Sequence, residues 1–197
     1  MSFPFHRTAR PGAAALATLL CSSIVAAAPA ARRPAAVPIP ESYRLCVEER
    51  REPGVAACRG ALGLGLGLGP ARTQLAQRAL ALHLAELERW DEVVETYRDQ
   101  ALQRPSDPEA QFRAGAALVY LVRRPEEALG HLQAAAALRA ADPAIHAALG
   151  VALNALGRHA EAVAALEEAL RLDPAYLERR PAARLVLEAS RRGEAWP

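Results

Sequence analysis

The sequence predicts an all-α chain built from stacked antiparallel helix pairs. Three observations carry that expectation. From Pro143 to Pro174, apolar residues recur at three- and four-residue steps on both sides of a Gly157-Arg158 break, which is the helical period. A turn motif comes back three times: Arg89-Trp90-Asp91-Glu92-Val93, Arg124-Pro125-Glu126-Glu127-Ala128 and Arg158-His159-Ala160-Glu161-Ala162. Its last positions lie 35 and 34 residues apart. The composition is 52% hydrophobic but only 5% aromatic, with the apolar fraction swollen by alanine. Thin side chains suit closely packed helices, whereas a β-sandwich draws on aromatic and β-branched residues.

The last unit shows the pattern most clearly. Ala147, Leu149, Val151, Leu153 and Leu156 supply the apolar side of its first helix, with Ala148 and Ala152 as thin packing positions. Ala162, Val163, Leu166, Ala169 and Leu170 mark the second helix. Asp173-Pro174 ends it, because proline cannot continue the hydrogen-bond ladder. This unit resembles one tetratricopeptide repeat. Leu149-Gly150, Gly157, Glu161, Ala162, Ala169 and Pro174 fit that pattern, and His146 stands where the family usually has an aromatic residue. Gly115-Ala116 replaces Leu-Gly in the second copy, and Leu80-Ala81 does so in the first. The resemblance implies a right-handed α-solenoid of about three units, because one hairpin cannot bury its own apolar face. An N-terminal hairpin and a C-terminal capping helix should flank the repeats.

Taken in order, residues 1–30 read as a signal peptide. His6, Arg7 and Arg10 precede an apolar run from Ala13 to Ala28, and Ala28-Pro29-Ala30 has the small-x-small form of a cleavage site. The run is short and alanine-rich for a membrane span. The expected location is therefore an exported, periplasmic one. The alternatives are membrane anchoring through an uncleaved signal or through lipidation of Cys21. Cleavage leaves equal numbers of basic and acidic side chains, so no net basic field remains to attract nucleic acid. No lysine occurs; the basic residues are arginines, a codon-bias signature.

Residues 31–40, rich in Pro and Ala, read as a flexible linker. Residues 41–69 form an N-terminal hairpin and a Gly/Leu connector. Its helices are expected over Glu41–Arg50 and Val55–Leu64, with a turn at Arg51-Glu52-Pro53-Gly54. The alternating Gly63–Gly69 stretch lacks the spacing of a phosphate loop and reads as a frayed helix end. Repeats fill residues 70–174. Their helices are expected near Thr73–Leu87, Asp91–Gln103, Pro108–Val122, Pro125–Arg139, Pro143–Leu156 and His159–Leu172, with Ser106 capping the third of these. Residues 175–197 form a capping helix and tail. Pro181 suits its first position, Gly193 its stop, and Arg179, Arg180, Arg184, Glu188, Arg191 and Arg192 should give it a polar outer face.

Loss of Cys21 with the leader leaves Cys46 and Cys58, an even count in an oxidising compartment. Their midpoint is position 52, inside the expected turn. Residues equidistant from the turn of an antiparallel hairpin face each other, so the two should form a disulfide.

No catalytic constellation is visible. His6, His83, His131, His146 and His159 make no metal-ligand spacing. Glu126-Glu127 and Glu167-Glu168 fall on second helices and read as solvated faces. Trp90 and Tyr97 read as packing residues. No cofactor is expected. The reading is a non-catalytic scaffold or adaptor with a protein or peptide partner, no nucleic acid, and no membrane span in the mature chain. Two alternatives stay open: an enzyme or redox or ligand sensor using Cys46 and Cys58, and a self-association module.

The resemblance also implies where a partner binds. In this family the first helix of each pair lines a concave groove that takes an extended peptide or a partner helix. Aligning the repeats by their turns puts Arg78, Arg113 and Ala147 at one level of that groove. Leu82, Ala117 and Val151 follow one turn later, and then Glu86, Tyr120 and Asn154. Arginine's planar fork suits carboxylates, so an acidic-apolar peptide is the expected ligand.

Overall fold

The computed structural model describes residues 40–63 and 67–195. The leader, the Ala28-Pro29-Ala30 site, Cys21 and most of the 31–40 linker lie outside the described residues, as do Leu64–Leu66. Among the described residues every regular element is an α-helix: α1 (Glu41–Glu48), α2 (Arg51–Gly63), α3 (Gly69–Glu86), α4 (Trp90–Gln103), α5 (Pro108–Tyr120), α6 (Pro125–Leu138), α7 (Pro143–Ala155), α8 (His159–Leu172) and α9 (Pro181–Arg191). Each helix packs on its neighbour in sequence, and α7 also touches α5 and α9, so the pairs stack as a solenoid. The expected all-α solenoid is the fold.

The turn motif has a physical reason in each copy. Arg89 pairs with Glu92, Arg124 with Glu127 and Arg158 with Glu161, three residues on, across the first turn of α4, α6 and α8. Two residues before each helix the chain enters the left-handed region: Glu88 at φ 58°, Arg123 at 54° and Gly157 at 72°. Only the third copy uses the residue that adopts that conformation without steric cost.

Where the first helices start, the cap is Asp107 and not Ser106. Its carboxylate accepts from Glu109 N at 3.0 Å, and Asp142 accepts from Ala144 N at 2.9 Å. In both cases a proline follows in the first helical position, where its missing N–H is no loss. Asp173-Pro174 repeats the signature, and Asp173 accepts from Ala175 N at 3.1 Å. Here the helix does not start at once. The stretch 174–180 intervenes before α9.

Two glycines fix the register of the pairs. A Cβ on Gly150 would lie 2.5 Å from Leu166 Cγ and 3.1 Å from Ala162 O. A Cβ on Gly115 would lie 2.6 Å from Leu132 Cγ and 3.2 Å from Ala128 O. Gly115 therefore holds the place of Gly150. Ala114-Gly115, not Gly115-Ala116, stands in for Leu-Gly in the second copy. The slip comes from the turns. Residues 121–124 join α5 to α6, one residue more than 87–89 or 156–158.

The N-terminal hairpin also turns earlier than the sequence suggests. α1 ends at Glu48 and α2 begins at Arg51, at φ 57°. Pro53 lies in the first turn of α2, where it is tolerated. Cys46 and Cys58 are fully buried and joined, with Sγ atoms 2.12 Å and Cα atoms 4.4 Å apart. A Cβ on Gly54 would meet the His83 ring at 2.8 Å, and His83 Nε2 lies 3.0 Å from Cys46 O, which ties α3 to this hairpin. Tyr97 packs against both the N-terminal and the central apolar clusters. Trp90 is 38% exposed instead of being core. Gly67 and Gly69 take φ 57° and 73° on entry to α3, which begins four residues earlier than Thr73.

Candidate functional site

The first helices of successive pairs, α5, α7 and α9, border a groove of about 700 Å³. Phe112, Val119 and Tyr120 come from α5, and Ala147, Val151, Asn154 and Ala155 from α7. Ala183 and Val186 come from α9. The small side chains of α7 make the floor, because alanine leaves room that a leucine would fill. Arg123 stands at the α5–α6 turn, while Tyr176, Arg179 and Arg180 come from the stretch before α9. Among the described residues no carboxylate side chain lines this groove.

The structure divides the residues named from sequence. Tyr120, Val151 and Asn154 line the groove. Arg113 and Ala117 do not. Arg113 Nε donates to Glu109 Oε1 at 2.8 Å, and Ala117 is 5% exposed within the central apolar cluster. One residue of slip turns a helical position through about 100°. With Gly115 matched to Gly150, the residue equivalent to Ala147 is Phe112, which does face the groove. Arg78, Leu82 and Glu86 are exposed on α3 and lie outside this cavity. Arg50 approaches Glu86 at 3.4 Å.

Asn154 holds the far wall in place. It is buried on α7, and its Nδ2 donates to Ser190 Oγ at 2.8 Å and to Glu194 O at 2.9 Å. Ser190 Oγ in turn donates to Val186 O at 2.7 Å. These bonds dock α9 and the chain after it on α7. Asn154 therefore builds the groove more than it presents itself to a ligand.

The electrostatics suit an anion. Surrounding protein pushes the Tyr120 phenol up to about 12; burial is the main cause, reinforced by Tyr176 and opposed by Arg180. The side chain is nevertheless 54% exposed along the open face of the groove. Tyr176 is shifted upward too, by burial, with Arg180 opposing. Both phenols stay protonated at neutral pH and offer O–H donors. Arg179 pairs with Asp173, whereas Arg123 and Arg180 have no acidic partner among the described residues. A second, smaller hollow of about 300 Å³ lies among Arg59, Leu80, Glu92 and Asp99.

His131 is engaged in packing. His131 Nδ1 lies 2.8 Å from Gln111 Oε1, and Gln111 Nε2 reaches Ala101 O at 3.2 Å, so the pair ties α6 to the α4–α5 connection. The Glu126-Glu127 and Glu167-Glu168 faces are exposed or half-buried, and Glu127, Glu167 and Glu168 pair with arginines. Among the described residues no group of three His, Cys, Asp or Glu side chains is placed to hold a metal. Among them also, no helix is long and apolar enough to cross a membrane.

No protein-family model matches the chain, and no curated protein matches it. Solved structures do. The chain is similar to a mutant of MamA at 23% identity and TM-score 0.54, over 67% of this chain and 76% of that one. It is similar to MamA AMB-1 at 25% identity and TM-score 0.52, over 66% and 68%. These likenesses support a tetratricopeptide-type helical repeat fold.

The sequence missed Phe112, Arg123, Tyr176, Arg179 and Arg180. For Phe112 the signal was the glycine register. For the last three there was no local signal, because Asp173-Pro174 starts no helix here yet reads like the two pairs that do.

Proposed function

We propose that this chain is a non-catalytic protein-interaction scaffold that takes a peptide or a partner helix in its concave groove. The observation that carries the reading is the groove itself: about 700 Å³, floored by alanines and valine of α7 and walled by α5 and α9. Pockets that orient a bound segment are mostly apolar with a few placed polar groups, and this one has that make-up. The redox alternative gains no support from Cys46 and Cys58, which are fully buried and out of a substrate's reach. The scaffold works outside the cytoplasm, in a periplasm, after removal of residues 1–30. A buried disulfide in a short hairpin supports that location, since such bonds persist in oxidising compartments.

Site-specific photo-cross-linking tests the function. Benzoylphenylalanine is placed at Tyr120 in the groove, and at Leu102, 73% exposed on α4 and outside it. Position 120 should join the chain to a protein from the native envelope and position 102 should not. Equal labelling at both positions, or none at 120, contradicts the groove as the binding face.

A further inference from the structure

Arginine supplies all the permanent positive side-chain charge of this chain, and most of the described arginines are matched. Among the described residues, arginines on every helical pair have a carboxylate partner. Arg51, Arg72, Arg78, Arg123 and Arg180 do not. Two of these five, Arg123 and Arg180, line the groove, and among the described residues no acidic side chain lines it with them.

Both stand where the chain departs from its own repeat. Arg180 ends the intervening stretch ahead of α9. Arg123 occupies the left-handed turn position, at φ 54°, that Gly157 fills in the next copy. A side chain there is held against a conformational preference. Among the described residues its guanidinium makes no ion pair or hydrogen bond, and it lines the groove.

We infer that the groove takes an acidic segment of a partner protein, seating an apolar or aromatic side chain on the Phe112–Val151 floor and carboxylates on Arg123 and Arg180. This rests on the groove being a protein-binding site. Guanidinium forks pair with carboxylates in two parallel hydrogen bonds, and the Tyr120 and Tyr176 hydroxyls add neutral donors beside them. A protein segment fits both features of the groove, since one peptide can place carboxylates beside an apolar side chain.

The test is a random peptide library displayed on phage and panned against the full chain. Affinities of the selected peptides are then measured by fluorescence anisotropy. Ala155→Trp, at an exposed position that lines the groove, identifies the peptides that use it. Groove-dependent peptides should carry Asp or Glu flanking an apolar residue. Arg123→Gly and Arg180→Gln should each weaken them about tenfold, with circular dichroism unchanged. Groove-dependent peptides without an acidic excess, or unchanged affinity in the folded double variant, overturn the inference and leave the scaffold reading standing. If no selected peptide responds to Ala155→Trp, the protein-binding reading fails and takes the inference with it. Groove-dependent binding of phosphatidylglycerol vesicles or oligothymidine, with no acidic peptide selected, also overturns it.

Discussion

Leu166 Cγ sits 2.5 Å from the point where a Cβ on Gly150 would stand, and Leu132 repeats the contact on Gly115 at 2.6 Å. The two helices of each pair approach closely only because the glycine has no side chain. Gly150→Ala should therefore destabilise the chain by about 1–3 kcal/mol, since a rigid Cβ would press on a branched carbon and a carbonyl. Its gain in helix propensity, about 1 kcal/mol, does not offset that. Gly130 is the control. It lies exposed on α6 with nothing within 4 Å of its notional Cβ, so Gly130→Ala should stabilise by about 0.5–1 kcal/mol. Thermal melts of the two variants should move in opposite directions.

This contact also marks where the sequence is legible and where it is not. The helices of the repeats fall within a few residues of their expected places, because apolar period and Pro or Asp-Pro punctuation are local signals. The Cys46–Cys58 pairing was legible from the even cysteine count and not from hairpin symmetry, since the turn falls at residues 49–50 and the cysteines' midpoint is position 52. Which face of α5 meets the groove is not local. It depends on whether the 121–124 turn holds three residues or four, and the repeated motif hides the extra one. Arg113 and Phe112 exchange roles on that single residue. The displaced start of α9 was hidden likewise, since Asp173-Pro174 looks the same whether or not a helix follows it directly.

Removing the Cys46–Cys58 bond should lower stability by about 2–3 kcal/mol, through the entropy that a short closed loop takes from the unfolded chain. Urea melts of oxidised and reduced protein measure this. Thiol labelling of the unfolded, unreduced protein should find neither Cys46 nor Cys58 free. Under the export proposal, the intact mass of native protein corresponds to a chain beginning at Ala31.

Asn154→Ala should cost about 1–3 kcal/mol, because it strips the buried donor that holds Ser190 and the Glu194 carbonyl. The loss should be local. Hydrogen exchange should quicken across α9 and leave α1–α4 unchanged.

Arg123→Gly should leave the melting temperature unchanged or raise it by an amount worth up to about 1 kcal/mol. Glycine removes the left-handed cost at φ 54°, and its greater freedom in the unfolded chain offsets part of that gain. A clear loss of stability would mean that Arg123 is structural.

His131 is shifted below its ordinary value, first by burial, then by Arg98, with Glu127 opposing. Free histidine titrates near pH ~6.5. Between that value and the lowered one, the unfolded chain binds a proton that the folded chain refuses. Stability is therefore fully present above the unfolded value and is lost as pH falls through the window beneath it. Urea midpoints at pH 7.5 and 5.5 should fall further for the native chain than for His131→Gln.

The central claim is that the α5–α7–α9 groove is where a partner binds. Hydrogen exchange on the full chain, with and without a groove-selected peptide from the panned library, tests it most directly. The account predicts slowed exchange in residues 112–123, 144–155 and 176–186 on binding. Protection confined to α1–α3 or to the outer helices α4, α6 and α8, with those segments unchanged, would contradict it.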